Sequence, residues 1–351
     1  MNILLLGGTG AIGSAVLEEL KNFDCDIYIT SRSVIKNSQR ITYINGDAKK
    51  IDFLKDVLRS REWGCIIDFM AYKTDEFSLR WNLLFKNQNR YFFLSSARVF
   101  ADHKIIDETS LRLIDSSIDK NFLRSEEYSI SKARQENIII ESESTGWVII
   151  RPYITFGDNR LQLSVLEKEA WLYRALKGRR VVFPRSLLDV ETTLTSSKDV
   201  AKVICNLVKT EGIKNEIFNV ASEESITWQR VIDLYSKIYK ENLDEDLPLL
   251  YVDDDAFINT IPGKAQFVYD RKYNRRFSCS KLKEYNLIDE FEKSEDCLRY
   301  SLERFLNNPR FRAIDWRHEA RRDSITSDFA KYGEFNTVKD ALKYFLFRIV
   351  R

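Results

Sequence analysis

Four glycines, Gly7, Gly8, Gly10 and Gly13, fall within seven residues near the start of this 351-residue chain, which holds only 12 glycines altogether. Such crowding needs a local reason, and the flanking residues supply one. Before it, Ile3-Leu4-Leu5-Leu6 is a continuous apolar run, the pattern of a parallel strand buried on both faces. After it, Ala11 to Leu20 carries Ile12, Val16, Leu17 and Leu20 at helical spacing. Strand, glycine turn and helix in that order make a βα unit whose turn lets a backbone approach pyrophosphate closely. The anion then rests on the unpaired N–H groups of the helix N-terminus. Gly7, Thr9, Gly10, Ala11, Ile12 and Gly13 are therefore expected to line a dinucleotide site.

The next strands extend the reading. Asp26 to Thr30 ends at Ser31-Arg32-Ser33, about 20 residues past the loop, where an acidic residue would bind a ribose 2′-hydroxyl. Here the residue is Arg32, whose guanidinium suits a 2′-phosphate, so NADP(H) is favoured and NAD(H) is the alternative. A strand over 41–44 leads to Asp47 and Ala48, with Asp47 placed to reach the adenine amino group. A fourth, 65–69, precedes Met70, Ala71 and Tyr72, a loop expected over the cofactor because ligands collect at the carboxyl ends of parallel strands.

The fifth strand, 91–94, is followed by Ser95-Ser96-Ala97-Arg98. Tyr128 and Lys132 then lie in a stretch that has no Gly or Pro up to Ile140, so they share one face of a predicted helix. A phenol with a reference pKa of ~10 is a weak base at neutral pH, and a neighbouring ammonium favours the phenolate. Ser96, Tyr128 and Lys132 are the expected catalytic set, the serine orienting the oxygen whose proton the tyrosine exchanges. Lys132 is also expected on the nicotinamide ribose. Tyr173 and Lys177 repeat the spacing without the preceding Ser-Ser strand end, and are read as a helix of a smaller lobe.

Composition limits the alternatives. Fifty-five basic against 53 acidic residues leaves +2, too little for a field that gathers nucleic acid or a membrane, so neither is an expected partner. Five scattered cysteines and two histidines favour neither a disulfide framework nor a metal site. The first apolar run is too short for a signal peptide, and a cytoplasmic protein is expected. Three adjacent aspartates, Asp253 to Asp255, read as a solvated turn.

The motifs together resemble the short-chain dehydrogenase/reductase superfamily, in its extended and atypical branch, the NAD-dependent epimerase/dehydratases. The resemblance is carried by Gly7 to Gly13, Gly46-Asp47, Ile67 to Tyr72, Ser95-Ser96 through Phe100, Tyr128 with Lys132, Arg151-Pro152 through Gly157, Ser197 to Ala201 and Phe218-Asn219-Val220. It implies an α/β fold, a doubly wound parallel sheet with a smaller mixed C-terminal lobe that binds substrate. The nucleotide domain is expected over 1–150 with returning segments near 190–222, and the lobe and an extension over 151–351. It also implies a nucleotide-activated sugar or another small polar substrate, and is compatible with a homodimer. Sugar dehydratases of the family carry an acidic pair where this chain has Ala97 and Arg98, so dehydration is disfavoured against reduction or epimerisation. The competing reading is a member of the fold that has given up catalysis or binds RNA. The basic run 271–276 is expected on a solvated face or on substrate phosphate. Beyond Asn307 the arginines interleave with Phe311 and Trp316, a composition that fits RNA or a subunit contact.

Overall fold

The computed structural model describes residues 1–86, 90–158 and 160–349. The chain forms two compact units. The first comprises 1–155, 193–224 and 276–292, and the second 156–192, 225–275 and 293–351.

The first unit is built on a seven-stranded parallel sheet. Its strands are β1 (Asn2–Leu6), β2 (Asp26–Ser31), β3 (Ile41–Asn45), β4 (Cys65–Asp68), β5 (Tyr91–Leu94), β6 (Trp147–Pro152) and β7 (Glu216–Val220). Their order across the sheet is β7-β6-β5-β4-β1-β2-β3. The chain leaves β1 for β2 and β3 on one side and returns to β4 on the other, so the order reverses beside β1, where an open α/β sheet forms its ligand crevice. Period-two alternation of β1 explains its unbroken apolar run. Ile3 and Leu5 pack into one core with Val16 and Leu20, while Leu4 and Leu6 pack into another with Leu54, Phe77 and Trp81. Helices α1 (Ala11–Leu20) and α5 (Ser197–Lys209) cover the first face. The second is covered by α2 (Ile51–Arg59), α3 (Thr74–Lys86) and α4 (Tyr128–Ile140). Segment 276–292, read from the sequence as part of the smaller lobe, instead supplies Leu282, Leu287 and Ile288 to the first core. Arg90, buried at the foot of β5, donates to the carbonyls of Leu207, Val208 and Ile213, and so ties the last turn of α5 to the sheet.

In the second unit the main helices are α6 (Trp228–Leu243), α7 (Ser294–Asn307), α8 (Trp316–Thr326) and α9 (Val338–Ile349). A two-stranded parallel ribbon pairs Val181–Pro184 with Leu249–Val252. Charge buried in this unit is paired. Arg174, fully buried, reaches Glu319 at 2.6 Å and Asp323 at 2.7 Å, and Arg179 reaches Glu334 at 2.7 Å. Tyr173 donates to Glu334 at 2.8 Å, so its resemblance to the Tyr128–Lys132 pair ends at spacing. The run 271–276 is only in part the solvated face expected: Lys272, Tyr273 and Asn274 are exposed, whereas Arg271 and Arg275 are buried and both pair with Asp270. In the aspartate triplet, Asp253 caps a short helix through the Ala256 N–H, and Asp254 pairs with Lys272 at 2.6 Å. Among the described residues no helix is long and apolar enough to cross a membrane.

Candidate active site

Every residue singled out for cofactor or catalysis lies in the first unit, at the carboxyl ends of β1 to β5 or on α4. The glycine loop assigns each glycine a different task. Gly7 has φ +70°, and its N–H donates to the Thr30 hydroxyl at 3.0 Å. Gly13 lies against the loop itself, since a Cβ there would sit 2.5 Å from the Gly8 carbonyl oxygen. Gly10 differs from both. Its backbone is extended at φ −79° and ψ 179°, which any residue adopts, and a Cβ there would meet nothing within 4 Å. Gly10 precedes α1, whose N-terminus has no side-chain cap and no acid in its first turn. Open space, uncapped N–H groups and the positive end of the helix dipole suit an anion, so the residues present fit a dinucleotide pyrophosphate.

Around this loop, Arg32 is exposed just past β2, its carbonyl held by the Asn45 side-chain amide at 3.1 Å. Asp47 accepts from the Lys49 N–H at 3.0 Å, and Ala48 is buried beside it. Met70 packs on Gly7 and Ala71 is exposed. Tyr72 departs from the expected loop over the cofactor. Its ring is buried against Phe77, 6.0 Å between centres, and its carbonyl accepts from Ser131 and Gln135 of α4.

Helix α4 positions the catalytic candidates. Lys132 is buried, and its ammonium donates to the carbonyls of Leu94 at 2.7 Å and Met70 at 3.1 Å, the ends of the strand and loop it must serve. Burial pushes its pKa down to about 8, against the pull of Asp68 and Glu136. Asp68, at the end of β4, accepts from the Tyr91 hydroxyl at 2.7 Å and the Met70 N–H at 2.9 Å. Burial raises its carboxyl to about 6, opposed by those hydrogen bonds and by Lys132. This buried acid beside the lysine had no motif to announce it.

Tyr128 is the first residue of α4 and is 38% exposed. The helix N-terminus favours negative charge at that point. The Arg98 guanidinium lies 5.1 Å from the centre of its ring and pairs with Glu127 at 2.6 Å, while Glu127 caps α4 through the Ser129 N–H. The Arg98 N–H in turn donates to the Ser96 hydroxyl at 3.3 Å, which leaves the serine proton for donation. Thus one arginine links the loop of Ser96 to the turn of Tyr128.

The structure gives different partners to Ser95 and to Ser96, the serine expected from the sequence. Ser95 donates to Glu136 at 2.5 Å, and Glu136 is gripped by Arg151 through two bonds of 2.8 Å and by Arg112 at 3.2 Å. Ser95 therefore belongs to a buried charge network, whereas Ser96 caps the short turn that follows β5 through the Arg98 N–H.

Fold and glycine loop together define a doubly wound nucleotide-binding protein, with the candidate residues Ser96 after β5 and Tyr128 and Lys132 on α4. The profile of the NAD-dependent epimerase/dehydratase family matches residues 3–221, more than half of the chain, and the chain belongs to that family. Among known proteins it is 25% identical over 244 residues to the chloroplast stem-loop binding protein of 41 kDa b from Arabidopsis thaliana, matching 64% of this chain and 60% of that protein. The match thus spans less than two thirds of that relative's length. Among solved structures, UDP-glucuronic acid 4-epimerase from Bacillus cereus, in complex with UDP-glucuronic acid and NAD, superposes with a TM-score of 0.66 at 14% identity, over 88% of this chain and 99% of that one. The Bordetella bronchiseptica enzyme WbmH in complex with NAD+ gives 0.64 at 13% identity, over 88% and 98%.

Proposed function

We propose that the chain is an NAD(P)-dependent epimerase or reductase of a nucleotide-activated sugar, with Ser96, Tyr128 and Lys132 as its catalytic residues. The observation that carries this reading is α4, which starts at Tyr128 and inserts the Lys132 ammonium between the carbonyls of Leu94 and Met70. The glycine loop, with Gly10 open and α1 uncapped, holds the dinucleotide pyrophosphate, and Arg32 takes the 2′-phosphate where NADP(H) is bound. Met70 and Ala71 lie along its path, while Asp47 and Ala48 border the adenine. When bound, the nicotinamide supplies a hydride acceptor or donor. Tyr128 exchanges the proton of the sugar hydroxyl, aided by the Lys132 ammonium, the α4 N-terminus and the Arg98 cation at its ring. Ser96 donates to the same oxygen. Such a set serves C4 epimerisation or carbonyl reduction without another acid or base, and Ala97 and Arg98 leave none for dehydration. The second unit is proposed to bind the sugar nucleotide.

The test has two parts. The nucleotide released on denaturing the purified protein is identified, and turnover is measured with UDP-glucose and UDP-glucuronic acid. Tyr128→Phe is expected to abolish turnover and retain dinucleotide affinity. Wild-type turnover in that variant overturns the assignment. The stem-loop binding relative supports a second reading, a binding protein on the same fold: stem-loop RNA retained by a wild type that turns over no nucleotide sugar would put it first.

A further inference from the structure

Helix α9 is anchored on one side and bare on the other. Tyr344 is buried and donates to Asp323 at 2.5 Å, and Ala341 is buried beside it. One turn away, Val338, Leu342, Phe345, Leu346 and Ile349 are 70%, 67%, 45%, 59% and 80% exposed. Their spacing of four, three, one and three places them in a single stripe, an arc of about 100° at ~100° per residue. Lys339 and Lys343 follow along one margin of that stripe, and both are exposed. Beyond them, Arg317 and Arg321 of α8 lie over the ring of Phe347, at 4.6 and 5.8 Å. An apolar stripe bordered by a row of cations is the pattern of a helix lying in a membrane interface.

Charge in this region is segregated, which the near-neutral total conceals. Between 310 and 349 there are nine Lys or Arg and six Asp or Glu. Of the six, Glu319, Asp323, Asp328 and Glu334 pair with Arg174, Arg179 or Arg180. Asp315, at the head of α8, is engaged by the His318 ring at 2.7 Å and by the N–H groups it caps. Five of the six acids are thus paired or capping, and the sixth, Asp340 of α9, accepts from the Thr337 hydroxyl at 2.8 Å. Of the basic residues Arg322 is buried against Glu319, while Arg310, Arg312, Arg317, Lys331, Lys339 and Lys343 are exposed. The 12 described residues of α9 make about 18 Å of helix, and Lys339, Asp340, Lys343 and Arg348 along them suit a bilayer surface rather than its core.

We propose that the exposed face of α9 docks on an anionic lipid surface, the stripe entering the headgroup boundary while Lys339 and Lys343 on its margin meet lipid phosphates. The face fits a second copy of the chain less well, because a two-fold contact sets the same patch against itself and its lysines would meet like charge. It fits RNA less well too, since four of the five stripe residues are aliphatic and offer neither stacking planes nor hydrogen bonds to bases. The expectation of no membrane partner rested on the summed charge, and the proposal departs from it because the fold separates that charge.

The test is co-sedimentation of the full chain with vesicles of phosphatidylcholine alone or with phosphatidylglycerol added. Binding to the anionic vesicles only, weakening as salt rises, is expected. Leu342→Ser with Leu346→Ser should weaken it at least tenfold. Lys339→Glu with Lys343→Glu should weaken it by at least about 25-fold, from roughly fivefold for each surface lysine lost, with repulsion by the new carboxylates added. All four residues are exposed, so circular dichroism and melting should match the wild type. No binding to anionic vesicles, or binding that neither double variant changes, overturns the proposal. So does a concentration-dependent dimer by light scattering that Leu342→Ser with Leu346→Ser breaks, which would make the face an interface between copies. Stem-loop RNA binding lost in the lysine variant, with no vesicle binding by the wild type, would assign the face to RNA instead.

Discussion

Replacing Gly10 by valine separates a glycine kept for a ligand from one kept for the fold. At position 10 the backbone is already in an extended conformation open to any residue, and no atom lies within 4 Å of a built Cβ. The substitution should therefore cost the fold nothing. Loss of glycine's freedom in the unfolded chain should add roughly 0.4 to 1 kcal/mol, a rise of a few degrees at most at ~2 to 4 °C per kcal/mol. The isopropyl group, however, fills the space where pyrophosphate would approach the N–H groups of α1. Charge-assisted bonds are worth ~1.5 to 3 kcal/mol each, so losing two would weaken dinucleotide binding about 100-fold or more. Gly13→Ala is the control. Its Cβ would lie 2.5 Å from the Gly8 oxygen and 2.7 Å from the Gly8 Cα, backbone atoms that cannot rotate aside, and overpacking of this kind costs ~1 to 3 kcal/mol. Calorimetric titration with NAD+ and NADP+, together with melting curves with and without nucleotide, reads both effects. At a nucleotide concentration 100 times its Kd the wild type should gain about 2.7 kcal/mol, and the valine variant should gain almost none. A Gly10→Val protein that binds like the wild type, or that melts low like Gly13→Ala, would refute the reasoning.

Two further outcomes are expected. Arg32→Ala should weaken NADPH about 10- to 100-fold and leave NADH nearly unchanged, since only the former has a 2′-phosphate to lose; parallel losses in fluorescence titrations would show that the guanidinium stacks on adenine instead. Asp68→Asn removes a negative charge that favours the Lys132 ammonium, so the lysine should lose its proton below the present value of about 8. The ammonium is the form that assists Tyr128, so the alkaline limb of the turnover profile should move to lower pH, and an unmoved limb would show that Lys132 does not govern it.

What could be read along the chain was whatever depends on near neighbours. The apolar run of β1, the glycine loop and the 3.6-residue period of α1 are adjacent and visible without any partner, so the candidate dinucleotide end of the site was legible. Tyr128 and Lys132 were legible for the same reason, four residues apart on one helix, as was the Ser-Ser strand end. What the folded chain decided was pairing across long separations, which leaves no local pattern. Ser95 is drawn away from the chemistry because Glu136, Arg151 and Arg112 meet beneath it. Asp68 comes to Lys132 from another strand, and Arg98 to Tyr128 from another loop. Arg271 and Arg275 were read, with the run around them, as a solvated face or a phosphate contact, yet burial with one carboxylate, Asp270, turns them into core. In the tail the same physics runs outward: internal arginines engage its acids and leave the stripe of α9 bordered by cations. Composition sums charges, whereas the tertiary structure chooses which of them are desolvated and paired, and so which remain to meet a partner.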